Sequence, residues 1–209
     1  MKAGATDLAD IRVRSEAGKV GREMHELIAE LYPICRSITG KGVRETLSRI
    51  GHHIPLTIRE IASGTQAFDW TVPKEWNILD AYVKNSRGER IIDFRKSNLH
   101  VMSYSIPVRR IMSLEHLKPH LHTLPEHPDW IPYRTSYYNE NWGFCLSHRR
   151  FLDLKEEEYE VCIDASLEEG HLSYGECYLP GETPDEVLFS SHVCHPSLCN
   201  DNLSGISLA

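Results

Sequence analysis

The sequence reads Ser191-His192-Val193-Cys194-His195-Pro196-Ser197-Leu198-Cys199-Asn200-Asp201-Asn202-Leu203-Ser204-Gly205 shortly before its last residue, Ala209. An apolar run, Val187 to Phe189, leads into this stretch and predicts a buried strand that presents His192 at its C-terminal end. The Ser-Gly pair predicts the start of a helix, with Asp201 just before it. A strand end with an imidazole and a helix N-terminus with a carboxylate are typical of metal sites in α/β enzymes. The stretch therefore predicts an α/β fold.

His192 and Asp201 are the candidate metal ligands, because an imidazole nitrogen and a carboxylate oxygen suit zinc or a similar divalent ion. Asp201 lies between two asparagines, a composition typical of loops that hold a carboxylate through local hydrogen bonds. Three alternatives stay open. In the first, the two residues are only a polar strand end and a helix N-cap. In the second, Cys194 is a nucleophile activated by a histidine. The third is a closed structural zinc site made of His192, Cys194, His195 and Cys199.

The composition narrows the class of protein. With 209 residues, 41% hydrophobic and 25% charged, the chain has the make-up of a globular protein with a buried core. Its net charge of −7 leaves no basic excess to neutralise phosphates, which argues against nucleic-acid binding. No apolar run approaches the roughly 18 residues of a membrane-spanning helix, so we predict no membrane partner. Residues 1–21 lack the apolar centre of a secretory signal. We therefore expect a cytoplasmic protein.

The residue composition and its periodicity change twice along the chain. Residues 1–20 predict a flexible leader, and the region up to residue 54 predicts amphipathic helices. From residue 55 to 150, aromatic and β-branched residues with proline breaks predict a β-rich unit. We therefore predict one α/β domain made of 21–54 and 151–209, interrupted by a β-rich inserted domain at 55–150. The individual elements predicted are helices over 24–34, 43–50 and 111–120, and strands over 56–61, 79–84, 90–94, 98–105, 158–165 and 171–178.

Other stretches carry distinctive residues as well, namely 36–40, 70–76, 97–100, 104–108 and 142–146. With these and the terminal motif, the sequence resembles a bacterial aminopeptidase-like family of uncharacterised function, related to the zinc-exopeptidases, or di-zinc aminopeptidases. The resemblance covers nearly the whole chain beyond the leader. It implies a zinc-exopeptidase fold interrupted by a small β-rich domain. Because family members are longer, this chain resembles their N-terminal half only, and we expect an incomplete enzyme.

The resemblance also implies roles for individual residues. His192 matches the first zinc ligand, and Asp201 matches the carboxylate that bridges two zinc ions in the full-length enzyme. The implied reaction is hydrolysis of a peptide or small amide substrate, with zinc polarising the carbonyl. The general base and the other ligands of such enzymes follow Asp201, so we assign no catalytic residue within this chain and expect it to be inactive alone. Cys194 departs from the pattern, because those enzymes have an aspartate there that orients the imidazole.

Two functions of other classes stay open. Cys194 and the missing downstream ligands favour a non-catalytic scaffold or binding protein that keeps the fold. A zinc amide hydrolase acting on modified sugars is the second, and an aromatic-lined cleft between the two units would favour it. If the polypeptide ends at Ala209, the buried strand predicted over 187–189 loses sheet neighbours and covering helices, and its apolar edge is exposed. We therefore expect this chain to form homo-oligomers or to be poorly soluble.

Overall fold

The computed structural model describes residues 17–209. Most of the predicted leader, 1–20, lies outside these residues, and residues 17–20 belong to the first helix. The helices are α1 (Ala17–Leu31), α2 (Lys41–Ile50), α3 (Leu114–Leu117), α4 (His148–Leu152) and α5 (Ser204–Leu208). The first two confirm the predictions from apolar periodicity. Helix α1 ends two residues before Pro33, whose ring and missing N–H oppose continuation of a helix. Helix α2 buries Val43 and Leu47 and ends at its C-cap, Gly51.

Within residues 17–209, ten strands form one larger sheet and three small ones. The strands are β1 (Thr57–Ala62), β2 (Gln66–Ala67), β3 (Trp70–Thr71), β4 (Glu75–Lys84), β5 (Arg90–Asp93), β6 (Val108–Ser113), β7 (Leu121–His122), β8 (Phe144–Cys145), β9 (Glu158–Glu168) and β10 (His171–Glu176). The larger sheet has the order β5-β4-β9-β6 and is antiparallel throughout. Strand β1 pairs with β10, β2 with β3, and β7 with β8. The combination of helices and sheets confirms the mixed α/β class.

The strand pairing crosses the boundary predicted at residue 150. Strand β9 lies between β4 and β6, and β10 pairs with β1, so strands from both sides of that boundary share hydrogen bonds. The alternation of polar and apolar residues along a strand indicates that one of its faces is buried. It does not indicate which other strand pairs with it. The division into 21–54 plus 151–209 and an insert at 55–150 stays a prediction.

Three predicted elements differ in the structure. The predicted strand over 98–105 is a 3₁₀ turn at Asn98–His100, followed by isolated bridges at Val101 and Ser103. The predicted helix over 111–120 begins as the end of β6 and becomes α3 only at Leu114. Residues 187–189 form no strand. Their side chains are 82%, 89% and 81% exposed, and no strand within 17–209 pairs with them. A strand needs a hydrogen-bonding neighbour, which an apolar run cannot supply by itself.

The main core lies against the larger sheet. Side chains from β4, β5 and β9 pack with residues of the irregular segment between β5 and β9. The most deeply buried members are Ala81, Val83, Ile92, Tyr104, Leu114, Leu117, Phe144, Leu146, Tyr159 and Val161. Within residues 17–209, no helix has the length and apolar character needed to cross a bilayer. The segment between β5 and β9 packs into this core, and the same segment contacts the candidate site described below.

We expect the acid stability of the fold to depend on Glu75, the first residue of β4. Its carboxylate accepts two hydrogen bonds from Arg44 of α2, at 2.9 and 2.6 Å, and these lower the pKa of Glu75 from 4.5 to about 2. Because the folded-state pKa lies below the unfolded value, the stabilisation is complete above pH 4.5 and is lost as the pH falls towards 2. Urea unfolding across this pH window should show a steeper loss in the wild type than in Glu75→Gln.

Glu140→Gln is the matched control for the pH experiment. Glu140 is exposed and its carboxylate lies 3.4 Å from Lys74 Nζ, so its ion pair is expected to contribute less than about 1 kcal/mol. The control should keep the pH dependence of the wild type. An equally steep loss in Glu75→Gln would contradict the role of the Arg44–Glu75 pair.

We also expect the chain to self-associate through residues 187–189. Three consecutive apolar side chains with this exposure form a patch that association would remove from water. In sedimentation velocity, the wild-type chain should show oligomers, and Val187→Asn plus Leu188→Asn should shift it towards monomer. Leu152→Asn, at a single exposed leucine of α4, should not. A monomeric wild-type chain with a sharp thermal transition would contradict this expectation.

Candidate metal site

The candidate site lies on the loop that leads into α5. The side chain of Asn202, near the end of this loop, closes it. Asn202 Nδ2 donates hydrogen bonds to Ser191 Oγ at 2.7 Å and to the carbonyl of His192 at 3.3 Å. Gly205 leaves room for this amide, because a Cβ there would lie 2.1 Å from Asn202 Oδ1. The two ends of the loop are therefore held together, and the Asn-x-x-Gly spacing of the motif has a steric reason.

The closed loop brings the two predicted ligands into contact. His192 Nε2 lies 2.7 Å from Asp201 Oδ1, and His195 Nε2 lies 3.3 Å from Asp201 Oδ2. On the other side of the imidazoles, Cys194 Sγ lies 3.3 Å from His192 Nδ1 and 3.7 Å from His195 Nδ1. Among the described residues, His192, Cys194 and His195 form a group whose ligand atoms lie within 4.8 Å of one another. Cys199, the fourth member of the alternative closed zinc site, does not belong to this group.

Partial burial sets the protonation states of His195 and Cys194. Burial lowers the pKa of His195 and outweighs the opposite effect of Asp201. Its imidazole is therefore neutral at pH 7, which metal binding requires. Burial, followed by the charge of Asp201, raises the pKa of the Cys194 thiol, whereas Arg36 lowers it. The thiol therefore stays protonated at neutral pH unless a cation replaces its proton.

A buried arginine fixes the backbone of the loop. Arg36 is only 2% exposed, and its guanidinium donates to the carbonyl of His195 at 3.0 Å. It also donates to Thr46 Oγ1 of α2 at 3.0 Å and to the carbonyl of Leu31 at the end of α1. Burial lowers the pKa of Arg36 to about 10, so the side chain keeps its charge at pH 7. One cation thus joins the loop to two helices.

Further contacts reach the loop from the segment between β5 and β9. Asn98 Nδ2 donates to Ser197 Oγ at 3.0 Å and to the carbonyl of Pro33 at 3.1 Å. The ring of Tyr133 meets the imidazole of His195 edge to face, with centroids 4.7 Å apart. No local pattern in the sequence predicts these contacts of Arg36, Asn98 and Tyr133 with the loop. Arg36 and Asn98 do lie in stretches that carried the family resemblance, and that was the available signal.

The donor atoms of the group fit zinc. Two imidazoles, a thiol and a carboxylate within one loop are the ligand types that Zn²⁺ takes in proteins. Magnesium and calcium prefer oxygen ligands and do not match this set. The chemistry of the side chains thus agrees with the zinc that the family resemblance implies.

Two known proteins resemble this chain closely. One, from Clostridium acetobutylicum and named "Putative polysaccharide biosynthesis protein with aminopeptidase-like domain", is 60% identical over 192 residues, covering 92% of this chain and 44% of that protein. The other is the crystal structure of a "putative peptidase" from Clostridium acetobutylicum. It matches with a TM-score of 0.90 at 60% identity, covering 92% of this chain and 46% of that one. The chain therefore shares the fold of the matched part of that putative peptidase and spans less than half the length of these relatives.

The chain belongs to the family described as "Domain of unknown function (DUF4910)", whose family model matches residues 25–209. The aminopeptidase-like resemblance inferred from the sequence is thereby confirmed. The zinc-exopeptidase fold, the inserted domain and the metal ligands stay predictions.

Proposed function

We propose that the chain is the metal-binding N-terminal part of a zinc-dependent aminopeptidase-like hydrolase that cleaves a peptide or amide bond. His192 and Asp201 are its proposed zinc ligands. The observation that carries the proposal is that the loop brings the imidazoles of His192 and His195 against the carboxylate of Asp201, although nine positions separate His192 from Asp201 in the sequence. The peptidase and aminopeptidase-like names of the relatives also support it.

The residues of this chain would hold the metal and shape its surroundings. Bound zinc would polarise the scissile carbonyl and lower the pKa of a water molecule. His192 and Asp201 would coordinate the zinc ion, and Arg36 would keep the loop in place through its hydrogen bond to the carbonyl of His195. Catalytic zinc sites take about three protein ligands. This chain supplies only two proposed ligands, fewer than those three, and we assign no general base in it. We therefore expect this chain to bind zinc without hydrolysing substrate.

A zinc amide hydrolase acting on modified sugars is the second candidate. A pocket of about 240 Å³ is lined by Tyr137 and Tyr138, together with Lys74 and Glu140. Aromatic faces with nearby polar groups suit sugar rings as well as peptides. One relative also carries polysaccharide biosynthesis in its name. A substrate screen of the full-length relative, with peptides and N-acylated sugars side by side, would separate the two candidates by which class is hydrolysed.

The zinc content of the purified chain tests the proposal. After exposure to zinc and removal of excess, mass spectrometry should find about one zinc ion per chain in the wild type. His192→Ala plus Asp201→Ala should lose it. The matched control is His127→Ala plus Asp129→Ala, which removes an exposed histidine and aspartate of a surface loop and should keep the zinc. Zinc retained by the first variant would contradict the ligand assignment, and a zinc-free wild type would favour a non-catalytic scaffold.

A further inference from the structure

The distances around Cys194 match those between ligands of one metal ion. Zinc lies about 2.3 Å from a cysteine sulfur and about 2.0–2.1 Å from an imidazole nitrogen, so at a tetrahedral angle the two ligands lie about 3.6 Å apart. Cys194 Sγ lies 3.3 Å from His192 Nδ1 and 3.7 Å from His195 Nδ1. The sulfur therefore lies from each nitrogen at about the distance expected between two ligands of one tetrahedral zinc ion, and the ligand atoms of the three side chains lie within 4.8 Å of one another.

The distances around Asp201 indicate a different role for this carboxylate. A nitrogen and an oxygen bound to the same zinc at about 2.0–2.2 Å each lie about 3.4 Å apart at a tetrahedral angle. His192 Nε2 and Asp201 Oδ1 are only 2.7 Å apart, which is a hydrogen-bond distance. The other carboxylate oxygen lies 3.3 Å from His195 Nε2. A carboxylate that accepts from the outer nitrogen of a metal-bound histidine fixes the tautomer and the ring orientation.

A buried cation also holds the loop that carries Cys194. Arg36 is buried, and its three described hydrogen-bond acceptors are two carbonyl groups and a hydroxyl, none of them an anion. When a divalent cation binds to Cys194, it replaces the thiol proton, which leaves to solvent.

We propose that the loop has a second metal-binding mode, in which Cys194 Sγ, His192 Nδ1 and His195 Nδ1 are the ligands and Asp201 orients the two imidazoles. This thiolate mode rests on the proposed function only in that the same loop binds a divalent metal. Metal at His192 Nδ1 leaves Nε2 to donate to Asp201, whereas the hydrolase assignment places the metal between His192 and Asp201. The two modes share one imidazole and therefore exclude each other. The mode takes zinc or cobalt(II), which accept mixed sulfur and nitrogen ligands.

Absorption spectroscopy of the full chain titrated with Co²⁺ tests the thiolate mode, because thiolate ligands give an intense near-ultraviolet charge-transfer band and nitrogen or oxygen ligands do not. We expect this band in the wild type and its loss in Cys194→Ser. Cys199→Ser, a cysteine of the same loop outside the group, should keep it. Asp201→Asn should keep the band with cobalt affinity about 10–100-fold weaker, as expected for loss of an orienting carboxylate.

Each other outcome overturns a defined statement. Visible cobalt bands without the charge-transfer band, lost in Asp201→Asn, would overturn the thiolate mode and leave the His192–Asp201 ligand pair standing. A charge-transfer band that persists in Cys194→Ser and disappears in Cys199→Ser would place the thiolate elsewhere and overturn it too. No cobalt or zinc binding by a wild-type chain that melts cooperatively would overturn both this mode and the proposed function.

Discussion

Replacing Phe144 by alanine is expected to lower the free energy of unfolding by about 3–5 kcal/mol. The side chain is 0% exposed and lies in the main core, with its ring edge-on to Trp142 at 6.4 Å between centroids. Strand β8 pairs with β7, and Phe144 also bridges Val101. The substitution leaves a cavity between segments that contain little regular secondary structure. Packing against Phe144 therefore contributes much of their stability. Urea unfolding followed by circular dichroism measures the loss.

Phe68→Ala is the matched control for the core experiment. Phe68 is fully exposed, so the same deletion should change the free energy of unfolding by no more than about 0.5 kcal/mol. Equal effects of the two substitutions would contradict the location of the core. Because domains are stable by only about 5–15 kcal/mol, the loss expected for Phe144→Ala is a large share of the total stability.

Replacing Arg36 by methionine is the second change with a large expected effect. Methionine keeps much of the volume but removes the donors to the carbonyls of Leu31 and His195 and to Thr46 Oγ1. Each buried acceptor left without a donor costs about 1–3 kcal/mol. The loop also loses its link to α1 and α2, so zinc affinity should fall together with stability. Urea unfolding and competition with a zinc-binding dye measure the two effects.

Two variants separate an anchoring role of Arg36 from general packing. Arg36→Lys keeps the charge and one donor, and it should recover part of the zinc affinity. Arg149→Met removes an exposed arginine that pairs with Asp129, and it should change stability by less than about 1 kcal/mol. A loss of stability in Arg36→Met with unchanged zinc affinity would show that the arginine supports the fold and not the site.

The sequence predicted the local elements better than their partners. The three- and four-residue spacing of apolar residues, followed by Pro33, was sufficient for α1. The strands predicted over 79–84 and 90–94 match parts of β4 and β5, and Gly88 in the turn between them adopts a positive φ of 78°. The apolar run at 187–189 resembled a central strand, yet it has no neighbour among the described strands. The difference arises because strand pairing depends on distant residues, which local periodicity does not encode.

The candidate site was predicted only in part for the same reason. His192 and Asp201 lie nine positions apart in a recognisable motif, so their approach could be predicted. His195 was considered only within a closed zinc site that included Cys199. Arg36 donates to a carbonyl 159 positions away, and no local pattern predicts such a contact. The stretches that carried the resemblance do meet in space, as shown by Thr39 Oγ1, which lies 2.8 Å from Tyr104 Oη and accepts from the N–H of Trp76 at 3.1 Å.

The central claim is that the loop from His192 to Asp201 binds a divalent metal through its imidazoles. The most direct test is an anomalous difference map, recorded at the zinc absorption edge from crystals of the full chain soaked with zinc. We predict one strong peak about 2.0–2.1 Å from an imidazole nitrogen of His192. A peak beside Nδ1 and Cys194 Sγ would identify the thiolate mode, and a peak beside Nε2 and Asp201 would identify the hydrolase ligands. A map with no peak at this loop, or with zinc bound only elsewhere, would contradict the claim.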